Sequence, residues 1–170
     1  MNSKFTILFL LLSTVLFLGC NTQKGYSDLD ELYSDFVKHL KELDEESLND
    51  FCHKITPDEG TAKYMKDNNF SYRGFPEELK KQNVSPSEIG DEYFKAVRRF
   101  RQKLRNKRKL NNLKYIGRER EGEYLFDERL DIYVTETFIL MESNGDTIKC
   151  KLGEMFRING KWKSFTTPYL

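Results

Sequence analysis

The sequence predicts an α+β domain in which N-terminal amphipathic helices pack on one face of a C-terminal antiparallel sheet. Three observations carry this. Leu29, Leu32, Tyr33, Phe36, Val37, Leu40 and Leu43 recur at steps of three and four, which lines one face of a helix. From Leu113 onward the apolar period changes to two, the alternation of a half-buried strand. Asn144-Gly145 and Asn159-Gly160 fall where consecutive strands must reverse, and Asn-Gly favours a tight hairpin because both residues tolerate positive φ. Helices followed by strands make an α+β arrangement.

The first helix has a start signal of the capping-box type in Ser27 and Asp30, and a polar face of Asp30, Asp35, Lys38, Lys41 and Glu42. A second, short helix is expected from Ser47 to about His53, using Leu48 and Phe51. Thr56-Pro57-Asp58-Glu59 combines an N-cap, a first-turn proline and a carboxylate at N3, which opens a third helix through Met65. Asn68 to Phe75 reads as a short strand or an aromatic-rich loop, and Pro76 to Gln82 as one or two helical turns. Ser85-Pro86-Ser87-Glu88 repeats the proline start signal and begins the longest helix. It ends near Leu110, and its core face is Tyr93, Val97, Phe100 and Leu104.

Strands are expected at Leu113 to Arg118, Glu123 to Phe126, Leu130 to Glu142, Asp146 to Arg157 and Lys161 to Thr167. The last three form an antiparallel meander. One face carries Ile132, Val134, Phe138, Leu140, Ile148, Phe156 and Trp162 unless a bulge shifts the register.

This order of elements resembles the nuclear-transport-factor-2-like superfamily, also called SnoaL-like or cystatin-like. The matching pieces are Phe36-Val37-Lys38-His39-Leu40, the acidic turn Leu43-Asp44-Glu45-Glu46, and Asn159-Gly160-Lys161-Trp162-Lys163. The resemblance implies a curved sheet wrapped around the helices. It also implies a cone whose interior, in the superfamily's enzymes, holds Asp, His or Tyr; Asp131 and Tyr133 are the candidates here. The helix from Pro86 to Leu110 is longer than the family's usual element before the meander.

The N-terminus supplies an address. Lys4 precedes an apolar run from Phe5 to Leu18, and Leu16-Phe17-Leu18-Gly19-Cys20 closes it. The run is shorter than the roughly 20 residues that span a bilayer core. A positive start, a short apolar stretch and a small residue before the cut are signal-peptide features. The segment resembles the export signal of a bacterial lipoprotein, although Phe17 stands where an aliphatic residue is usual. The resemblance implies cleavage after Gly19, acyl chains on Cys20 and a cell-envelope location. Each buried CH₂ of such a chain contributes ~0.8 kcal/mol to attachment. Asn21 after the cysteine resembles the outer-membrane sorting class of Gram-negative lipoproteins. The expected organisation is a signal peptide at 1–19, a lipidated Cys20 with a tether to residue 27, and one domain from 28 to 170.

The chain carries 28 basic and 27 acidic residues, and the leader contains only Lys4 among them, so the mature protein is close to neutral. Cys52 and Cys150 remain after the leader. In an oxidising compartment they are open to two readings, a disulfide or two separate buried thiols.

Candidate chemistry is sparse. The only histidines are His39, read as a boundary residue of the first helix, and His53. His53 directly follows Cys52, and adjacent residues on a helix do not face each other. No His-x-x-x-His, Cys-x-x-Cys, calcium-loop or Gly-x-Ser-x-Gly pattern occurs, so no catalytic residue, metal ligand or cofactor is assigned. The strongest remaining signal is electrostatic. Between Lys95 and Lys109 nine of fifteen residues are cationic and none is acidic. Such clusters suit nucleic acid, a destination that export removes. Arg98, Arg101, Arg105 and Arg108 are therefore candidates for contact with anionic lipid headgroups or an acidic partner protein. The alternative is a solvated face partly neutralised by the acidic segment from Asp28 to Asp50.

The sequence thus leads to a lipid-anchored envelope protein acting as a non-enzymatic binding or accessory module, with the membrane and an envelope protein as partners. Two other expectations stand beside it, a small hydrolase or isomerase with a cone-cavity site and an envelope immunity protein.

Overall fold

The computed structural model describes residues 24–42, 44–73, 75–77, 81, 84–166, 168 and 169, with backbone alone for 120–124. The expected signal peptide, Cys20, Leu43 and part of the 76–82 segment lie outside the described residues. Among the described residues four helices precede five strands: α1 (Leu29–Lys41), α2 (Glu45–Ile55), α3 (Glu59–Asp67), α4 (Pro86–Asn106), β1 (Lys114–Asp127), β2 (Ile132–Ser143), β3 (Asp146–Cys150), β4 (Met155–Ile158) and β5 (Lys161–Ser164). No described helix is long and apolar enough to cross a membrane.

The starts of α1, α2 and α3 are set by aspartates rather than by the serine and threonine expected. Asp28 caps α1 by accepting from the Glu31 N–H, Asp44 caps α2 by accepting from Glu46 and Ser47, and Asp58 caps α3 by accepting from Thr61. Each satisfies a donor that the first turn leaves open. Asp44 accordingly extends α2 to an earlier start than the apolar spacing suggested. The expected stripe of α1 is buried from Leu29 to Leu40. On α4, Pro86 occupies the first turn, and Tyr93, Val97, Phe100 and Leu104 are buried as expected, joined by Gly90 and Arg101.

The sheet is antiparallel, in the order β1-β2-β4-β5, with β3 also paired to β2. Both Asn-Gly pairs turn hairpins with positive φ at each residue: 56° and 83° at Asn144-Gly145, 49° and 73° at Asn159-Gly160. Two strand expectations are corrected. Leu113 to Arg118 and Glu123 to Phe126 belong to one long β1, which stays in register with β2 through three bulges. The single strand expected from Asp146 to Arg157 divides into β3 and β4 around Gly153. Gly153 has φ 90°, and a Cβ there would stand 2.5 Å from the Thr166 carbonyl oxygen.

The single apolar face expected for the meander is also corrected. On β2, Thr135, Thr137, Ile139 and Met141 are buried on one side, and Ile132 and Val134 on the other. The sheet has two covered faces at this end. The main core joins α1, α2 and α4 to Ile139, Met141, Cys150, Met155 and Trp162. A second cluster joins Met65 of α3, Phe70 and Phe75 to Ile132, Val134, Phe156 and Ile158. The segment from Asn68 to Phe75 is the aromatic-rich loop of the two alternatives, closed by a Tyr72–Phe75 bridge. Tyr26, placed in the tether by sequence, is buried and its carbonyl accepts from the Trp162 N–H on the β5 edge (2.8 Å).

Between the two clusters the chain passes beside β5, where Lys163 meets it. Lys163 is fully buried, and its ammonium donates to the Lys54 carbonyl (2.9 Å), the Thr56 carbonyl (3.0 Å) and the Asp58 carboxylate (2.9 Å). All three ammonium donors are used. Burial alone would push the Asp58 carboxyl up, but Lys163 and the Thr61 donors outweigh it and hold it below its ordinary value. For the more deeply buried Lys163, desolvation prevails over Asp58 and lowers its pKa.

At the other side of α2, His53 lies over Gly90 of α4, where a Cβ would overlap the imidazole, and its Nε2 is 3.0 Å from Asp91 Oδ1. A side chain at residue 90 would therefore have to displace the His53 ring.

These contacts lead to three stability predictions. Lys163→Met should cost about 3–5 kcal/mol in denaturant unfolding, because Asp58 and two carbonyls lose their buried cation. Asp58 has a depressed folded pKa, so its contribution is complete above the ordinary carboxylate range and is lost as pH falls through the folded value. The stability gap between wild type and Asp58→Asn should therefore be constant near neutrality and shrink below about pH 4. Separately, Gly90→Ala should destabilise by about 1–3 kcal/mol through overpacking. In a His53→Ala background the same change should stabilise by up to about 1 kcal/mol, the helix preference of Ala over Gly; a loss in both backgrounds would contradict the contact.

Candidate functional site

The nine cations between Lys95 and Lys109 do not act as one patch, because helical geometry distributes them around α4. Arg101 lies between Val97 and Leu104 in the buried stripe, and its side chain is only 8 % exposed. Its guanidinium donates to the Glu42 carbonyl at the C-cap of α1 (3.0 Å) and pairs with the Glu45 carboxylate at the start of α2. Burial first, and the charge of Arg105 second, lower its pKa. One turn earlier, Arg98 reaches the same carboxylate, with Nε 3.2 Å from Glu45 Oε2. Lys95 pairs with Glu92 on its own helix (2.7 Å). Among the described residues no carboxylate pairs with Arg99 or Arg105, both exposed.

Lys95, Arg98, Arg99, Arg101 and Arg105 line a groove of about 560 Å³ beside the N-terminus of α2, and among the described residues Glu45 is the one acid in its wall. The structure thus brings together three of the four arginines singled out from the sequence. Arg108 lies past the end of α4, exposed, with φ 55°, and does not line the groove. The acidic segment offered as a neutralising surface contributes through Glu45 and the Glu42 carbonyl, so that reading holds for Arg98 and Arg101 and not for Arg99 and Arg105. Such a groove can hold an oxyanion, since guanidinium forks match carboxylate and phosphate geometry.

The remaining candidates separate. Cys52 on α2 and Cys150 on β3 are free and buried, so the structure has two thiols rather than a bridge. Burial pushes each thiol up to about 12, leaving little nucleophilic thiolate. Asp131 is in the exposed β1–β2 turn and pairs with Arg157 (3.1 Å), whose guanidinium also covers the Tyr133 ring (4.5 Å). Asp131 is exposed, and Tyr133 is half-buried against the main core. Among the described residues no carboxylate or imidazole is buried.

One constellation was missed from sequence. His39 Nδ1 lies 2.9 Å from Ser47 Oγ, and its Nε2 lies 3.5 Å from Asp35 Oδ2. The i,i+4 spacing of Asp35 and His39 was the available signal, but Ser47 arrives from the next helix. Serine, imidazole and carboxylate in sequence suggest a nucleophile and its base. The surroundings oppose acyl transfer: Asp44 occupies the Glu46 and Ser47 amides that would stabilise an oxyanion. Asp44, Glu46 and Asp50 also border the same depression, and their charge would repel one. The group works as a tie between α1 and α2.

No protein-family model matches the chain. No match appears among curated proteins, and none among solved structures.

The thiols give a direct check. In the folded protein, Cys52 and Cys150 should react with a thiol reagent far more slowly than in denaturant, and rapid labelling of either would contradict their burial.

Proposed function

We propose that this protein is a lipid-anchored binding module of the cell envelope that uses the α4 groove to take an anionic partner. The observation that carries the reading is the groove itself: five cations line it, two of them share its one described carboxylate, and two of the arginines have no acid of their own among the described residues. The leader and Cys20 supply the proposed address, at the outer membrane in a Gram-negative cell. The main core supports binding rather than catalysis, since its interior is occupied by Tyr33, Tyr93, Cys52, Cys150 and apolar side chains. The same reading takes the fold as NTF2-like. It is supported by α1, α2 and α4 packed on one sheet face, with Trp162 of the Gly160-Lys161-Trp162-Lys163 run in the core.

In this mechanism the acyl chains hold the domain at the membrane and the groove selects by charge. Rim arginines accelerate encounter with an anionic partner and lose that advantage as salt rises, with a screening length of ~8 Å at physiological strength. Arg101 contributes its place in the groove wall, and its burial makes it unsuitable for charge reversal.

Two measurements test this. Native mass spectra of protein extracted from its own membranes should show a chain beginning at acylated Cys20; an unlipidated mass would remove the anchor. Cross-linking in the envelope should capture an acidic protein or anionic lipid with wild type and lose it with Arg98→Glu, Arg99→Glu and Arg105→Glu combined. Undiminished capture by a folded triple variant would sink the groove as the contact.

A further inference from the structure

The groove is already occupied by a carboxylate from the protein itself. Glu45 pairs with both Arg98 and Arg101, while its own side chain is 48 % exposed. It is held by those cations rather than enclosed by packing. Its side chain is also not required to cap α2, because Asp44 takes the Glu46 and Ser47 amides. Releasing Glu45 into solvent would therefore leave the helix start capped while freeing Arg98 and the Arg101 Nη2, with Arg101 Nη1 still held by the Glu42 carbonyl.

Arg98, Arg101 and Arg105 follow at steps of three and four, so their side chains project to neighbouring positions over about 10 Å of helix. Arg105 stands at one end with no carboxylate paired to it among the described residues. A ligand that displaces Glu45 must offer more charge and more acceptors than one carboxylate. A phosphomonoester carries about −1.5 to −2 at pH 7 and three strong acceptor oxygens, enough to engage the three arginines together.

We propose that Glu45 is a built-in competitor for the α4 groove, holding Arg98 and Arg101 in place of an external phosphomonoester that displaces it on binding. This deepens the reading of α4 as an anion-binding face and depends on it. The phosphate belongs either to a lipid headgroup or to a soluble ester, and both present the same oxyanion. While Glu45 occupies the arginines, apparent affinity is reduced by the fraction of molecules in which the groove is open.

The test uses the full chain in a zwitterionic detergent, titrated with inorganic phosphate. It is repeated with phosphatidylcholine vesicles containing either phosphatidic acid, a phosphomonoester, or phosphatidylglycerol, a diester. Glu45→Gln should tighten phosphate binding by about ten-fold if Glu45 holds the groove closed nine-tenths of the time. Glu46→Gln removes the same charge one residue outside the groove wall and should change affinity by less than about two-fold, as expected for a screened exposed charge. An unchanged or weakened Glu45→Gln, or an equal gain in Glu46→Gln, overturns the competitor.

Arg105→Gln, an exposed change in the ligand-facing row, should weaken phosphate binding several-fold in an otherwise wild-type chain. Unchanged binding overturns the proposal even if Glu45→Gln does not fold. Where vesicles bind, preference for phosphatidic acid over phosphatidylglycerol is expected, and equal binding to both overturns the phosphomonoester assignment. Tighter binding to phosphatidic-acid vesicles than to free phosphate identifies a headgroup; binding to free phosphate with none to phosphatidic-acid vesicles identifies a soluble ester. If wild type and Glu45→Gln bind all anionic vesicles equally, the anion-docking reading stands and the competitor falls. If neither variant binds any probe, both fall.

Discussion

The fold turns on a buried ammonium. Lys163 sits at the edge strand of the sheet, at the point where the chain leaves the main core and enters the second cluster. Its three donors satisfy two carbonyls at the end of α2 and the carboxylate that caps α3. A lysine removed from water is costly unless each donor is used and a counter-charge lies beside it, and both conditions are met here. The contact fixes the direction in which α3 departs. It thereby decides that Met65, Phe70 and Phe75 cover the second face of the sheet.

Arg101 does at the start of α2 what Lys163 does at its end. It joins the last carbonyl region of α1 to Glu45 of α2, so the eleven-residue α2 is held at both termini by a cation from another element. A helix of that length has little stability alone. Its placement comes from packing against α4, from these two cations, and from the close passage of His53 over Gly90. The groove proposed for function is a by-product of that anchoring: the buried arginine that holds α2 also lines the groove, and the exposed ones around it inherit a concave setting and a half-exposed acid.

Much of this was legible from residue spacing. The apolar stripe of α1, the proline start of α4 and both Asn-Gly hairpins state local preferences that tertiary packing leaves intact. β1 was harder to read because Arg118 to Glu123 interrupts the apolar alternation with charge and a glycine; its continuity comes from pairing with β2. The two-faced burial of β2 was hidden for a related reason. Thr135 and Thr137 read as solvent-facing until helices cover them, and nothing local announces that α3 crosses to the opposite side. In the groove, the run of arginines was visible, but the separation of Arg101 from Arg99 and Arg105 depends on which turn of α4 meets α2. The pairing of His39 with Ser47 likewise joins two helices whose approach no local spacing records.

The bulges of β1 have a consequence beyond register. β1 is a terminal strand of the sheet, and a straight terminal strand offers its free amides and carbonyls as a template for another chain. Register shifts after Tyr115, Arg120 and Leu125 break that template into short pieces and increase its twist. At the other margin, the Tyr26 backbone already occupies a position beside Trp162. A protein concentrated on a membrane surface, as proposed here, would meet its own copies at high local density. Interrupted and occupied margins would let it crowd there without polymerising edge to edge.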